Sequence, residues 1–109
     1  MVSKLYDVIK LNDEESFSVK FSDKDHEIFQ AHFPGNPILP GYCIIDILSD
    51  VLGDDILTIK KAKFIASILP EDVVTMHYKR TGETVKTVIF RDSIKISEVI
   101  YETKKQNPT

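Results

Sequence analysis

Residues 32–46 read His-Phe-Pro-Gly-Asn-Pro-Ile-Leu-Pro-Gly-Tyr-Cys-Ile-Ile-Asp. A histidine opens a proline- and glycine-rich loop, the loop runs straight into an apolar stretch, and a carboxylate lies about one turn inside it. Pro34, Pro37 and Pro40 fix φ, while Gly35 and Gly41 let the backbone approach closely. Such a loop costs little entropy to order, so it can hold a base, His32, and an acid, Asp46, at a set separation. That pairing suits a reaction in which a proton leaves one carbon and another is delivered to a nearby oxygen.

The elements that position these groups follow from apolar spacing. Residues 42–52 carry Tyr42, Cys43, Ile44, Ile45, Ile47, Leu48, Val51 and Leu52, with polar groups only at 46, 49 and 50. Apolar residues around most of the circumference predict a helix buried on most sides, and Gly53 is its stop. Residues 16–21 alternate strictly, so Phe17, Val19 and Phe21 share one face of a strand. After the helix the period is two. Strands are predicted over 56–66, bent near the lysines, and over 72–80, 84–91 and 94–102. Thr81-Gly82-Glu83 and Asp92-Ser93 serve as hairpin connections. One buried helix against one curved antiparallel sheet is an α+β architecture, and the open edges of such a sheet invite a second copy.

Composition sets the remaining bounds. A chain of 109 residues predicts a single domain, residues 1–104, followed by a flexible tail, 105–109. The net charge of −3 gives no pull toward nucleic acid. The lone Cys43 cannot form an internal disulfide and fits a reducing compartment. With no apolar run of membrane-spanning length and no signal-peptide pattern at the start, a cytoplasmic protein is expected. The three histidines show no metal-ligand spacing, so no zinc is expected, and no other cofactor is expected either.

The segment Phe29-Gln30-Ala31-His32-Phe33-Pro34-Gly35-Asn36-Pro37-Ile38-Leu39-Pro40-Gly41 resembles the active-site loop of the 3-hydroxyacyl-[acyl-carrier-protein] dehydratases, which are hotdog-fold enzymes. The likeness is strongest over residues 29–46. It extends more weakly to Ala62-Lys63-Phe64 and Leu69-Pro70-Glu71-Asp72. It implies a long central helix wrapped by a curved antiparallel sheet, and removal of water from 3-hydroxyacyl thioesters to give trans-2-enoyl thioesters. By the same resemblance His32 is the base, with its second ring nitrogen held by the backbone carbonyl of Ile38. Asp46 handles the C3 oxygen, and the backbone N–H of Gly41 faces the thioester carbonyl. Phe33, Leu39, Pro40, Tyr42, Asp50 and Phe64 line the acyl tunnel. The family site lies at a homodimer interface, with base and acid from different subunits, and takes acyl groups on acyl carrier protein or coenzyme A.

Several positions depart from that pattern. Position 46 is Asp, as in the class that also isomerises the double bond, where most dehydratases carry Glu. Asp50 replaces a usual Gln, Ala31 a usual Gly and Lys63 a frequent Arg, which marks a divergent member. Two other functions suit the scaffold: a non-catalytic acyl-thioester-binding protein, and a thioesterase with Asp46 as the base for water.

Plainer roles are open for other groups. Asp46, Ser49 and Asp50 fall at i, i+3 and i+4 and would equally form the wet stripe of an amphipathic helix. A carboxyl among Cys43, Ile44, Ile45 and Ile47 is expected to be desolvated and protonated. Cys43 is read as packing, His26 as part of an exposed charged stretch, and His77 as facing outward. Asp13 to Glu15 are read as a solvated loop. Lys60, Lys61, Lys63, Lys79 and Arg80 either meet an acidic carrier protein or are ordinary solvated residues.

Overall fold

Period-two alternation over most of the chain builds one sheet, and the apolar run at 42–52 supplies the helix it packs against. A computed structural model describes residues 4–13, 15–31 and 35–104. The elements are β1 (Tyr6–Asp13), β2 (Ser16–Phe21), α1 (Glu27–Ala31), α2 (Gly41–Leu52), β3 (Ile56–Phe64), β4 (Val73–Thr81), β5 (Thr84–Arg91) and β6 (Ile94–Thr103). Six strands form an antiparallel sheet in the order β1-β2-β4-β5-β6-β3. The β2–β3 crossover, which contains α1 and α2, therefore carries the chain from β2 to the far edge of the sheet. The predicted tail, 105–109, lies outside the described residues.

The strands expected from alternation are present, within two residues at each end. Phe17, Val19 and Phe21 of β2 are buried together with Val74 and Met76 of β4, Val85 and Ile89 of β5, and Val99 and Tyr101 of β6. Cys43, Ile44, Ile47 and Leu48 of α2 complete that core. The helix ends where expected: Gly53 adopts φ +67° and its N–H donates to the Ser49 carbonyl, a conformation that favours a residue without Cβ. Asp92 and Ser93 both take positive φ, 51° and 64°, as a two-residue turn matched to strand twist requires. In β3 the pairing with β6 shifts between Ile56 and Thr58 and again between Ile59 and Lys61, the second shift falling at the lysines.

Two elements were not expected. β1 is an edge strand whose register shifts between Val8 and Lys10 and between Leu11 and Asp13; each bulge resets the alternation that a strand reading needs. Asp13 accordingly ends a strand, and only Glu15 of the expected acidic loop is an exposed turn residue among the described positions. α1 has five residues, too few to show a helical period.

Thr87 is the one polar group that the core leaves unanswered among the described residues: it is fully buried and its Oγ1 has no hydrogen-bond partner. Replacing it with the near-isosteric valine removes an unmet desolvation cost. Thr87→Val is therefore expected to raise stability by about 1 kcal/mol, read as a higher urea midpoint at unchanged slope. A lower midpoint would mean that the hydroxyl has a partner in solution.

Candidate active site

The proline loop meets the core at its C-terminal end. Leu39 is buried and its N–H donates to the Ile68 carbonyl at 2.9 Å, which ties the loop to the segment following β3. Pro40, at φ −62° and ψ 141°, leads into α2 as an N-cap without a side-chain capping bond. Its carbonyl accepts the Cys43 N–H at 3.0 Å. The first N–H groups of a helix lack intrahelical partners and carry partial positive charge.

Over that helix start lies the ring of Phe64, from the end of β3. A Cβ on Gly41 would come within 2.6 Å of Phe64 Cε2, so the close approach requires glycine unless the ring moves. Leu39, Gly41, Ile44, Phe64, Ile65 and Ile68 line a cavity of about 150 Å³. Three residues singled out in the sequence, Leu39, Gly41 and Phe64, are thus together, 25 positions apart at the extremes. His32, Phe33 and Pro34 lie outside the described residues, so the His32–Asp46 separation and the bond from His32 to the Ile38 carbonyl are not part of this geometry. Ile38 and Pro40 are half-buried.

Asp46 corrects one expectation. It is exposed, on the same stripe as exposed Tyr42 and Asp50, whereas Cys43, Ile44 and Ile47 point into the core on the opposite side. One copy of the chain therefore does not desolvate this carboxyl; a covering surface would have to. Ser49, on the margin of the stripe, is half-buried and its hydroxyl donates to the Asp54 carbonyl at 2.8 Å. Asp50 faces β1: burial and then the neighbouring Asp50 carboxylate, which also hydrogen-bonds the phenol, push the Tyr6 hydroxyl above its usual range. Together with Leu5, Val8 and Val51 these two residues line an open groove of about 680 Å³.

Cys43 behaves as a packing residue. Burial first, then the charge of Asp46, raise its thiol above the ordinary range, which leaves little thiolate for nucleophilic attack. His77 is exposed, as expected, with its ring edge-on to Phe90. His26 is buried, contrary to the reading from its charged neighbours. Among the described residues no group of three or more His, Cys, Asp and Glu is arranged to hold a metal, and no helix is long and apolar enough to cross a membrane.

The basic residues divide into bound and unbound. Arg80, though exposed, is not simply solvated: its guanidinium grips the buried Asp54 carboxylate at 3.0 and 3.1 Å, and Tyr101 Oη donates to the same carboxylate at 2.6 Å. Lys60 pairs with Glu102 at 2.8 Å. Lys61, Lys86 and Lys95 surround Glu98 at 3.3, 3.6 and 3.1 Å. Lys63 and Lys79 have no carboxylate partner among the described residues.

Hydrogen bonds from Lys95 and Lys61 hold the Glu98 carboxyl down to about 2, from an ordinary 4.5. A depressed carboxylate contributes stability that is present above the unfolded-state value and disappears as pH falls through the folded one. Stability is therefore expected to fall with acid between pH 4.5 and about 2, and Glu98→Gln is expected to flatten that part of the curve. Urea midpoints measured across this range in both proteins check it; identical slopes would remove Glu98 from the account.

Comparison with known proteins adds to this geometry. The ApeI-like family, described as ApeI dehydratase, matches residues 10–103. A 3-hydroxyacyl-[acyl-carrier-protein] dehydratase FabZ of Enterococcus faecalis is 35% identical over 79 residues, covering 61% of this chain and 55% of the relative. The FabZ of Levilactobacillus brevis is 36% identical over 84 residues, covering 64% and 57%. The chain spans about half the length of the curated relatives it matches. Among solved structures, the dehydratase heterocomplex ApeI:P from Xenorhabdus doucetiae aligns with TM-score 0.70 at 18% identity, over 92% of this chain and 98% of that one. A hypothetical protein from Aquifex aeolicus aligns with TM-score 0.58 at 9% identity, over 85% and 98%. The six-stranded antiparallel sheet with α2 in its core is thus the hotdog fold that the loop motif led one to expect, with a helix of only 12 residues where a long one was expected, and the chain belongs to the ApeI-like dehydratase family.

Proposed function

We propose that the chain removes water from 3-hydroxyacyl thioesters carried on acyl carrier protein or coenzyme A, giving trans-2-enoyl thioesters. His32 takes the C2 proton, the C3–O bond breaks, and Asp46 gives its proton to the departing hydroxyl, which leaves as water. The N–H of Gly41 stabilises the enolate-like oxygen that develops on the thioester. Leu39, Pro40, Tyr42, Phe64 and Phe33 contact the acyl chain, and Asp50 borders it.

The observation that carries this reading is the junction of loop, helix start and Phe64. An uncapped helix N-terminus opens beside an apolar cavity, on a glycine that admits an aromatic ring to its Cα. A thioester needs both parts, a donor for its carbonyl oxygen and an apolar bed for its chain.

A second subunit completes the site. β3 is bonded on one side only, to β6, and exposes Leu57, Ile59 and Phe64, with Ile65 exposed just beyond its end; an edge of this kind calls for cover. The outward stripe of α2 that carries Asp46 is likewise uncovered in one copy of the chain, and the second subunit is proposed to cover it as well. The partner is a second copy or, by analogy with the Xenorhabdus doucetiae heterocomplex, a different chain.

The test is turnover of crotonyl and longer enoyl thioesters on both carriers, followed by loss of enoyl absorbance. Hydration by the purified chain, alone or with its paired subunit, is the expected result. Release of free thiol without hydration would replace dehydration by thioester hydrolysis. Saturable binding in calorimetry with no turnover would make the chain a non-catalytic acyl-binding subunit.

A further inference from the structure

The segment 65–72 joins β3 to β4, and its first half walls the cavity beside the helix start: Ile65, Ala66, Ser67 and Ile68 all line it. Most of this wall is tied through its own backbone. The N–H groups of Ile65 and Ala66 donate to the Ile96 carbonyl at 2.9 and 3.1 Å, and the Ile68 carbonyl accepts the Leu39 N–H at 2.9 Å. Ser67, between them, is held by a side chain 24 positions away. Arg91 Nη1, at the end of β5, donates to the Ser67 carbonyl at 2.7 Å and to Asp72 Oδ2 at 2.6 Å. The same Asp72 oxygen accepts the Leu69 N–H at 2.8 Å. Bonds between ionised partners are shorter and stronger than neutral ones.

The turn that ends the segment does not hold itself. Glu71 takes φ +67°, a region that residues with a Cβ seldom occupy and that persists only where the surroundings impose it. Its N–H donates to the Ser22 carbonyl at 2.9 Å, and the Asp72 N–H to the Leu69 carbonyl at 3.2 Å. The Arg91–Asp72 pair is the side-chain part of that frame. With side chains 27% and 21% exposed, it is less screened by salt than a pair in open water.

The cavity measures about 150 Å³. An apolar cavity of that size holds a group of about six carbons, whereas ligand pockets usually start at roughly 300 Å³. We propose that Arg91 is a positioning residue that sets acyl-chain length: with Asp72 it pins the wall formed by 65–72 and holds the cavity to a short chain. The inference rests on the dehydratase reading above. Arg91 is not part of the cavity lining and acts only through the backbone it grips.

Wild type is expected to favour crotonyl over trans-2-decenoyl thioester. Arg91→Ala is expected to shrink that ratio of kcat/KM values about tenfold, the lower end of what an apolar pocket achieves against one extra methylene. Both bonds come from one nitrogen, so the ammonium of Arg91→Lys can make them, and most of the ratio is expected to return. A loss of folded protein scales both rates alike and leaves the ratio unmoved.

The experiment measures hydration of crotonyl- and trans-2-decenoyl-coenzyme A by wild type, Arg91→Ala and Arg91→Lys, each alone and with its paired subunit. Amide exchange in peptides covering 65–72, read by mass spectrometry, reports the wall itself. A ratio lowered by alanine and restored by lysine, with faster exchange in the alanine variant, supports the proposal. An unchanged ratio in Arg91→Ala, lysine no better than alanine, or a wild type indifferent to chain length overturns it. Should Arg91→Ala not fold, Asp72→Asn takes its place. It keeps an acceptor for the Leu69 N–H but removes the charge that holds Arg91, and a wild-type ratio there overturns the proposal. A wild-type chain inert on every thioester, with exchange still quickened by Arg91→Ala, sinks the dehydratase reading and leaves the clamp standing. Exchange indifferent to position 91 sinks the clamp.

Discussion

Mixing two inactive variants is expected to restore activity. His32→Ala and Asp46→Ala should each lower enoyl-thioester hydration by about 10²- to 10⁴-fold, the range for losing a general acid or base. If base and acid come from different subunits, random exchange makes half of the dimers mixed. Each mixed dimer has one site with both groups and one with neither, so turnover returns to about a quarter of the wild-type value. The measurement is hydration rate against mixing ratio, with native mass spectrometry counting mixed dimers. Mixed dimers without activity would place both groups in one subunit or remove one of them from the chemistry. Asp46 is exposed in one copy of the chain, so its substitution should leave the stability of the subunit itself within about 0.5 kcal/mol, and native mass spectrometry of the variant separates lost activity from lost assembly.

That test is needed because the two halves of the site were unequally legible. The loop motif announced itself through fixed proline and glycine positions, and the contact with Phe64 gives the glycine at 41 a physical purpose. The environment of Asp46 could not be read the same way. Its apolar neighbours in sequence turn inward on the helix, so they say nothing about what covers the outward stripe. The sheet shows a similar split. β4 and β5 alternate because each buries one face, β2 alternates in residue type although most of both its faces is buried, and the Asp92-Ser93 turn was visible from its residues. β1 was hidden by two register shifts, and α1 by its five residues. His26 misled because its neighbours are charged, while its own burial comes from capping a helix too short to anticipate. Networks made across strands leave no local trace: Glu98 gathers lysines from three strands, and Asp54 meets Arg80 26 positions later and Tyr101 47 positions later.

The Asp54 network has the largest expected effect on stability. Its carboxylate sits just past the end of α2, with a side chain 3% exposed. It accepts from both terminal nitrogens of Arg80 and from the phenol of a fully buried Tyr101. Burial, reinforced by the hydrogen bond to Asp54, raises the Tyr101 hydroxyl far above the range in which it could ionise, so it acts only as a neutral donor. Asp54→Ala leaves that hydroxyl buried without its acceptor. The Arg80 side chain is 42% exposed and can turn to water, which holds the cost to about 2–4 kcal/mol, below that of breaking a wholly buried ion pair. Tyr101→Phe alone removes one hydrogen bond and leaves Asp54 paired with Arg80, at a cost of about 1–2 kcal/mol. In the Asp54→Ala background the sign should reverse. There the phenol is an unmet donor, and removing it should raise stability rather than lower it. Urea unfolding of the four proteins of this cycle measures each step. Additive losses in the double variant would mean that Tyr101 Oη does not depend on Asp54, and that the carboxylate is held by Arg80 and the Ser49–Asp54 bonds without the phenol.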